Sequence, residues 1–153
     1  MIRFGTGGWR AIIGDDFIKS NICLLAQAVA SDVTGEEKER GVVIGYDRRF
    51  LSETAAVWAA EVFAGNGLKV HFIDKIAPTP LIMYSVRKLG SKYGMAITAS
   101  HNPAAYNGIK IFTAGGRDAD EKVTKKLENI IDSAPQVISM PYAEGKAAGL
   151  ILT

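Results

Sequence analysis

A serine, a histidine and an asparagine interrupt an apolar stretch at Thr98-Ala99-Ser100-His101-Asn102-Pro103, and Lys110 follows the serine by ten residues. Residues of these types are poor core formers, and a polar turn accounts for many such runs. Here the run lies between two apolar segments, 93–98 and 109–112, so strands hold both ends and a rigid scaffold carries the loop. Lys110 alternates with Ile109 and Ile111. It therefore points away from the face of those two core residues, and the returning strand brings its ammonium back towards the loop. A serine near a lysine and a histidine has two chemical uses. It can be an acyl nucleophile activated by a base, or a phosphoryl carrier whose charge the cations balance. The hydrolase signature Gly-x-Ser-x-Gly is absent around Ser100, and so is Ser-x-x-Lys. Adjacent Ser and His side chains on an extended loop point apart, which places His101 badly as a triad base. The phosphoryl reading is favoured.

A second constellation is Phe4-Gly5-Thr6-Gly7-Gly8-Trp9-Arg10-Ala11. Glycines let backbone amides face an anion, and Arg10 adds a fork of fixed donors. The segment has neither the dinucleotide fingerprint nor the Gly-Lys-Ser/Thr of a P-loop, so it implies no nucleotide. Asp118, Asp120 and Glu121 form an acidic run, but they open a helical pattern, where carboxylates suit the positive end better than a metal.

The elements that must position these residues follow from periodicity. Helical spacing marks residues 16–33, 52–65, 79–89 and 121–131, with Asp15 or Asp16 and Ser52 as candidate N-caps. Glycine-containing stops follow at 65–67 and at Gly90. Strand-like runs occupy 2–4, 42–46, 68–73, 93–98 and 109–112, with Gly5 to Gly8 forcing a loop. Alternating strands and helices predict a three-layer α/β/α sandwich with a mixed, mostly parallel four-stranded sheet. The last strand follows its predecessor without a helix, so it is expected to be antiparallel. Residues 1–133 form the expected domain. Residues 134–153 read as an irregular segment, ending in an apolar stretch at 150–152 with no evident partner.

Taken together, Thr-Ala-Ser-His-Asn-Pro, Asn-Gly-Ile-Lys ending at Lys110 and Phe-Gly-Thr-Gly-Gly-Trp-Arg resemble the α-D-phosphohexomutases, the phosphoglucomutase/phosphomannomutase family. The segment from Gly45 to Ser52 and Pro78-Thr79-Pro80 are also similar, so the likeness runs from Phe4 to about Ile131. Members of that family have four domains, and this chain resembles the first. The resemblance implies that Ser100 is the phosphoserine. It would donate its phosphoryl group to a sugar phosphate and take back the other one through a 1,6-bisphosphate. His101 would assist proton transfer or orient the phosphate. Lys110 would be the general base or acid towards the sugar hydroxyl, and Arg10 would lie near both. Thr6, Gly7 and Asn102 would contribute to phosphate binding. A Mg2+ ion would bind the phosphate on Ser100, with its other ligands from a second domain. Hexose 1,6-bisphosphate would be the activator, and domains II–IV of a parent chain the partners. The chain alone is expected to fold without turning over.

The remaining features bound the class. The 153 residues suffice for one domain with a real core; 48% are hydrophobic and 22% charged, which excludes a disordered chain. A net charge of +2 without a basic, aromatic-laced patch argues against a nucleic-acid surface. No apolar run is long enough to span a bilayer, and the single Cys23 can form no internal disulfide, so a cytoplasmic location is expected. Asp47 and Arg49 read as structural ties between a strand end and the next helix. Trp9 reads equally as a pocket wall or a packing residue. A phosphosugar-binding module without chemistry, and a serine hydrolase, are the competing readings.

Overall fold

A computed structural model describes all residues from Met1 to Thr153. The strands are β1 (Gly8–Ile12), β2 (Val42–Tyr46), β3 (Val70–Phe72), β4 (Tyr93–Ile97), β5 (Tyr106–Thr113), β6 (Arg117–Asp118) and β7 (Ile151–Leu152). The helices are α1 (Lys19–Ser31), α2 (Glu37–Arg40), α3 (Ser52–Gly65), α4 (Thr79–Leu89), α5 (Glu121–Asp132) and α6 (Tyr142–Ala147).

All the strands join one sheet in the order β1-β5-β4-β2-β3-β7, with β6 paired to β5. Strands β2, β3, β4 and β7 run parallel, whereas β5 is antiparallel to β4 and β1 is antiparallel to β5. The antiparallel β5 was expected, and so was the burial of β2 on both faces; all five residues of β4 are buried as well. Such strands are covered on both faces, which is why they read as unbroken apolar runs. Helices α1, α3, α5 and α6 pack into one layer, and α4 alone covers the other face. The cores are correspondingly unequal: 33 buried residues lie in one cluster and six, Val43, Ala77, Ile82, Val86, Ala96 and Phe112, lie under α4. Gly45 sets the seat of α4, because a Cβ there would lie 2.5 Å from Ile82 Cδ1. Close approach of helix to sheet requires glycine at that point.

The sheet has seven strands instead of the four expected. The first is not residues 2–4 but β1, which begins inside the glycine run at Gly8. Its pairing with β5 turns residues that are locally flexible into a strand. The terminal stretch 150–152 has a partner after all: Ile151 and Leu152 pair with Val70 and His71 on β3. The preceding segment, expected to be irregular, contains α6, and Met140 N donates to Glu61 O on α3. Two expected caps also differ. Helix α1 starts after Ile18, with no side-chain cap. Ser52 is the first helical residue of α3, and the N-cap position belongs to Leu51 at φ 69°. No helix is long and apolar enough to cross a membrane.

Candidate active site

The loop from Thr98 to Ala105 joins the end of β4 to the start of β5. Ser100 sits in it at φ 55°, the left-handed region. A non-glycine residue there costs of the order of 1–2 kcal/mol, which the surroundings must offset. The local hydrogen bonds do part of this: Ser100 N donates to Thr98 Oγ1 at 3.0 Å, and Asn102 N donates to Ala99 O at 3.0 Å. The left-handed turn also brings Ser100 Oγ to 3.4 Å from His101 Nδ1. The expectation that the two side chains diverge assumed an extended loop, and the backbone at Ser100 is not extended.

Register places the cations. Gly8 on β1 pairs with Lys110 on β5, and Arg10 pairs with Gly108. Opposed residues in an antiparallel pair share a face, so Arg10 and Lys110 project from the same side as diagonal neighbours. Lys110 is also paired with Ala96 of β4, directly before the serine loop. Its Nζ lies 2.9 Å from Asp118 Oδ1 and 5.6 Å from the Phe112 ring centroid.

These residues converge on one cavity of about 80 Å³, lined by Ser100, Arg10, Lys110, Trp9, Gly8, Ile109, Thr98 and Thr79. The space is small and suits a compact anion of phosphoryl size. Thr79 is the first residue of α4, whose N-terminal end therefore faces the cavity. A helix N-terminus favours negative charge there. Two guanidinium or ammonium groups, a helix end and two hydroxyl-bearing residues around a serine suit an oxyanion better than a neutral acyl group.

Not every expected residue joins this cavity. Thr6 and Gly7 line a separate one with Phe4, Asp120, Glu121 and Thr124. Gly7 O accepts from Ile111 N, which steers the chain into β1. Asn102 lines a wider cleft of about 730 Å³ with Asp47, Arg48, Arg49, Phe50 and residues 76–78. Trp9 takes both of its expected roles: it lines the cavity and stacks on Phe17 at 5.7 Å between centroids. Asp120 caps α5 by accepting from Val123 N, so the acidic run at 118–121 is used structurally. No three His, Cys, Asp or Glu side chains lie together as a metal site.

Sequence reasoning missed Thr79, Thr98 and the reach of Arg49. Thr79 had a signal in its place between two prolines at a helix start. Arg49 reads from the sequence as a tie between the strand end and the next helix, but nothing signals its reach to the serine loop, because its partners there are backbone carbonyls.

Comparison with known proteins gives the family of the chain. Residues 1–137 match the family model for phosphoglucomutase/phosphomannomutase, alpha/beta/alpha domain I. A "Probable phosphoribomutase" of Schizosaccharomyces pombe is 42% identical over 121 residues, which is 75% of this chain and 21% of the relative. A phosphoglucomutase of Staphylococcus aureus (strain MRSA252) is 35% identical over 94% of this chain and 27% of its own length. A crystal structure of a candidate phosphomannomutase from Thermus thermophilus superposes with a TM-score of 0.81. It is 35% identical, over 91% of this chain and 32% of that one. The chain thus spans about a fifth to a quarter of the length of the curated relatives it matches. It belongs to the phosphoglucomutase/phosphomannomutase family, in which it corresponds to the alpha/beta/alpha domain I.

Proposed function

We propose that this chain is the phosphoserine-bearing domain of an enzyme that moves a phosphoryl group between the 1-position and the terminal hydroxyl of an aldose phosphate. The observation that carries this reading is the convergence of Ser100, Arg10 and Lys110 on one phosphoryl-sized cavity. In the forward half-reaction, the bond between phosphorus and Ser100 Oγ breaks while one forms to a sugar hydroxyl. The hydroxyl proton passes to Lys110, which has to enter this step as the neutral amine, released from its ion pair with Asp118, and the serine oxygen regains a proton, for which His101 is the adjacent group. The bisphosphate then reverses in the site and returns its other phosphoryl group to Ser100. Such transfer depends on in-line positioning and distributed positive charge more than on a strong nucleophile. Arg10 and the α4 end supply that charge, and Thr98 and Thr79 are placed to donate hydrogen bonds.

Mg2+ belongs to the proposal as a ligand of the phosphate on Ser100, where it would neutralise charge. Its other ligands would lie outside this chain, which contains no acidic or histidine cluster able to hold it. Domains II–IV would bring sugar and distal-phosphate recognition, so the isolated chain is proposed to bind phosphate without turnover, in the cytoplasm.

Phosphosite mapping by mass spectrometry on the full-length protein tests the reading. Phosphate on Ser100, lost on incubation with a sugar monophosphate and restored by a hexose 1,6-bisphosphate, is the expected result. A Ser100 that stays unmodified after exposure to the bisphosphate leaves a binding module.

A further inference from the structure

Arg49 lies just beyond the end of β2, with its side chain only 16% exposed. Its Nη1 donates to Pro103 O at 2.9 Å and to Tyr106 O at 3.0 Å. Its Nη2 donates to Ser100 O at 2.9 Å and to Asn102 O at 2.6 Å. Four carbonyl oxygens between Ser100 and Tyr106 thus converge on one guanidinium, and all four of its terminal N–H bonds are used. On the other side, Nε stands 3.7 Å from Asp47 Oδ2. Asp47 Oδ1 accepts from Arg49 N and from Ser52 Oγ. Ser52 Oγ accepts from the buried Asn107 Nδ2, and Asn107 Oδ1 accepts from Gly108 N on β5.

We infer that Arg49 is the positioning residue of the Ser100 loop, holding the serine in its left-handed turn and at a fixed place relative to Lys110. The serine loop is shaped around the arginine as a ring of carbonyls, while the Asp47–Ser52–Asn107 chain anchors the same arginine to the strand that carries Lys110. Both reactive residues are therefore referenced to one frame. Arg49 has no free terminal N–H to offer a phosphate, so it does not act as a phosphate ligand. Lysine cannot replace it. An ammonium has three donors and no planar fork, so it cannot satisfy four carbonyls spread along seven residues. The catalytic consequence rests on the phosphoserine reading above; the shaping of the loop does not.

The test uses two readouts on Arg49→Lys and Arg49→Gln. In the 153-residue chain, backbone NMR shifts and amide exchange report the loop directly. Both variants are expected to lose the left-handed signature of Ser100 and the protection of amides in 99–106, while β2 and β4 stay protected. In the full-length enzyme, kcat is expected to fall about 10²-fold with KM for the sugar phosphate within twofold, since misplacement of ~1 Å has that cost. A lysine variant with native loop shifts and native kcat would overturn the inference, because charge alone would then suffice. A raised KM at unchanged kcat would also overturn it, because Arg49 would then be a substrate ligand. If the unaltered enzyme proves inactive but the loop shifts change as stated, the positioning role stands and the phosphoryl-transfer reading fails.

Discussion

Lys110 Nζ lies 2.9 Å from Asp118 Oδ1, so a lysine that lines the serine cavity holds its ammonium against a carboxylate on the neighbouring strand β6. Both side chains are partly solvent-exposed, at 26% and 56%. An ion pair of that kind contributes only ~0–1 kcal/mol to stability. Its larger effect is expected on anion binding, because a carboxylate beside Lys110 competes with an incoming anion for the ammonium.

Asp118→Asn is therefore expected to leave the melting temperature nearly unchanged and to tighten inorganic phosphate binding to the chain about 2–5-fold at low salt. Titration followed by NMR at two ionic strengths checks this, and the gain should shrink at the higher one. Weaker binding in the variant would mean that Asp118 orients Lys110 and does not compete for it.

Ser100 adopts φ 55°, which only glycine tolerates without strain. Ser100→Gly and Ser100→Ala both remove the hydroxyl, and both should abolish phosphoryl capture in the full-length protein. They should differ in stability, with the glycine variant ahead by about 0.5–1 kcal/mol in chemical denaturation. Equal stabilities would show that the loop relaxes out of the left-handed conformation once the serine is gone.

A Cβ added at Gly108 would collide with Trp9 O, lie 2.9 Å from Thr98 O and touch Arg10 Cγ at 3.0 Å. Backbone atoms cannot yield as a side-chain tip can. Gly108→Ala should cost ~2–3 kcal/mol, or roughly 5–10 °C in melting temperature. A variant melting within about 2 °C of the native chain, roughly the shift of a 0.5 kcal/mol change, would show that β1 shifts freely and that its register does not fix Arg10.

Acid stability should depend on Asp32, which lies near the start of β4, far along the sheet from the serine loop. Burial pushes its carboxyl upward, but hydrogen bonds from Lys126 and Tyr93 and the charges of Lys92 and Lys126 outweigh this and hold it below the ordinary value. Tyr93 Oη donates at 2.7 Å and Lys92 Nζ stands at 3.5 Å. Because the folded value is depressed, the stabilisation is complete above the unfolded pKa of ~3.9 and is lost as pH falls below it. Asp32→Asn should cost ~1–2 kcal/mol at pH 7 and flatten the decline below about pH 4. Denaturation curves from about pH 2.5 to 7 measure both, and parallel curves for the two proteins would contradict the assignment.

The alternation of strands and helices was legible because β2 and β4 are buried on both faces and read as apolar runs without interruption. Ser100, Arg10 and Lys110 were legible because serine, arginine and lysine are unusual at strand ends and inside apolar repeats. What escaped depends on distant partners. Strand β1 opens with a glycine and becomes a strand only against β5. Strand β7 has two residues, too few for a periodic signal, and exists because β3 offers an edge. Arg49 acts through carbonyl oxygens that every residue type possesses, so no residue pattern around Ser100 announces it.

The pairing of β1 with β5 also sets an order of events during synthesis. Gly8 and Lys110 lie about a hundred residues apart along the chain. At ~5–20 residues per second, Arg10 leaves the ribosome roughly 5–20 s before the strand that will receive it. Meanwhile β2, β3 and β4, with the helices between them, are available to assemble by nearer contacts. Pairings so remote in sequence are slow to form, because the loop must close before any contact rewards it. Until β1 zips on, the outer flank of β5 from Tyr106 to Lys110 is an open row of unpaired amides and carbonyls, with only Phe112 and Thr113 covered by β6. The docking of this one short strand therefore completes the Ser100 cavity and moves the sheet edge from the long β5 to the shorter β1.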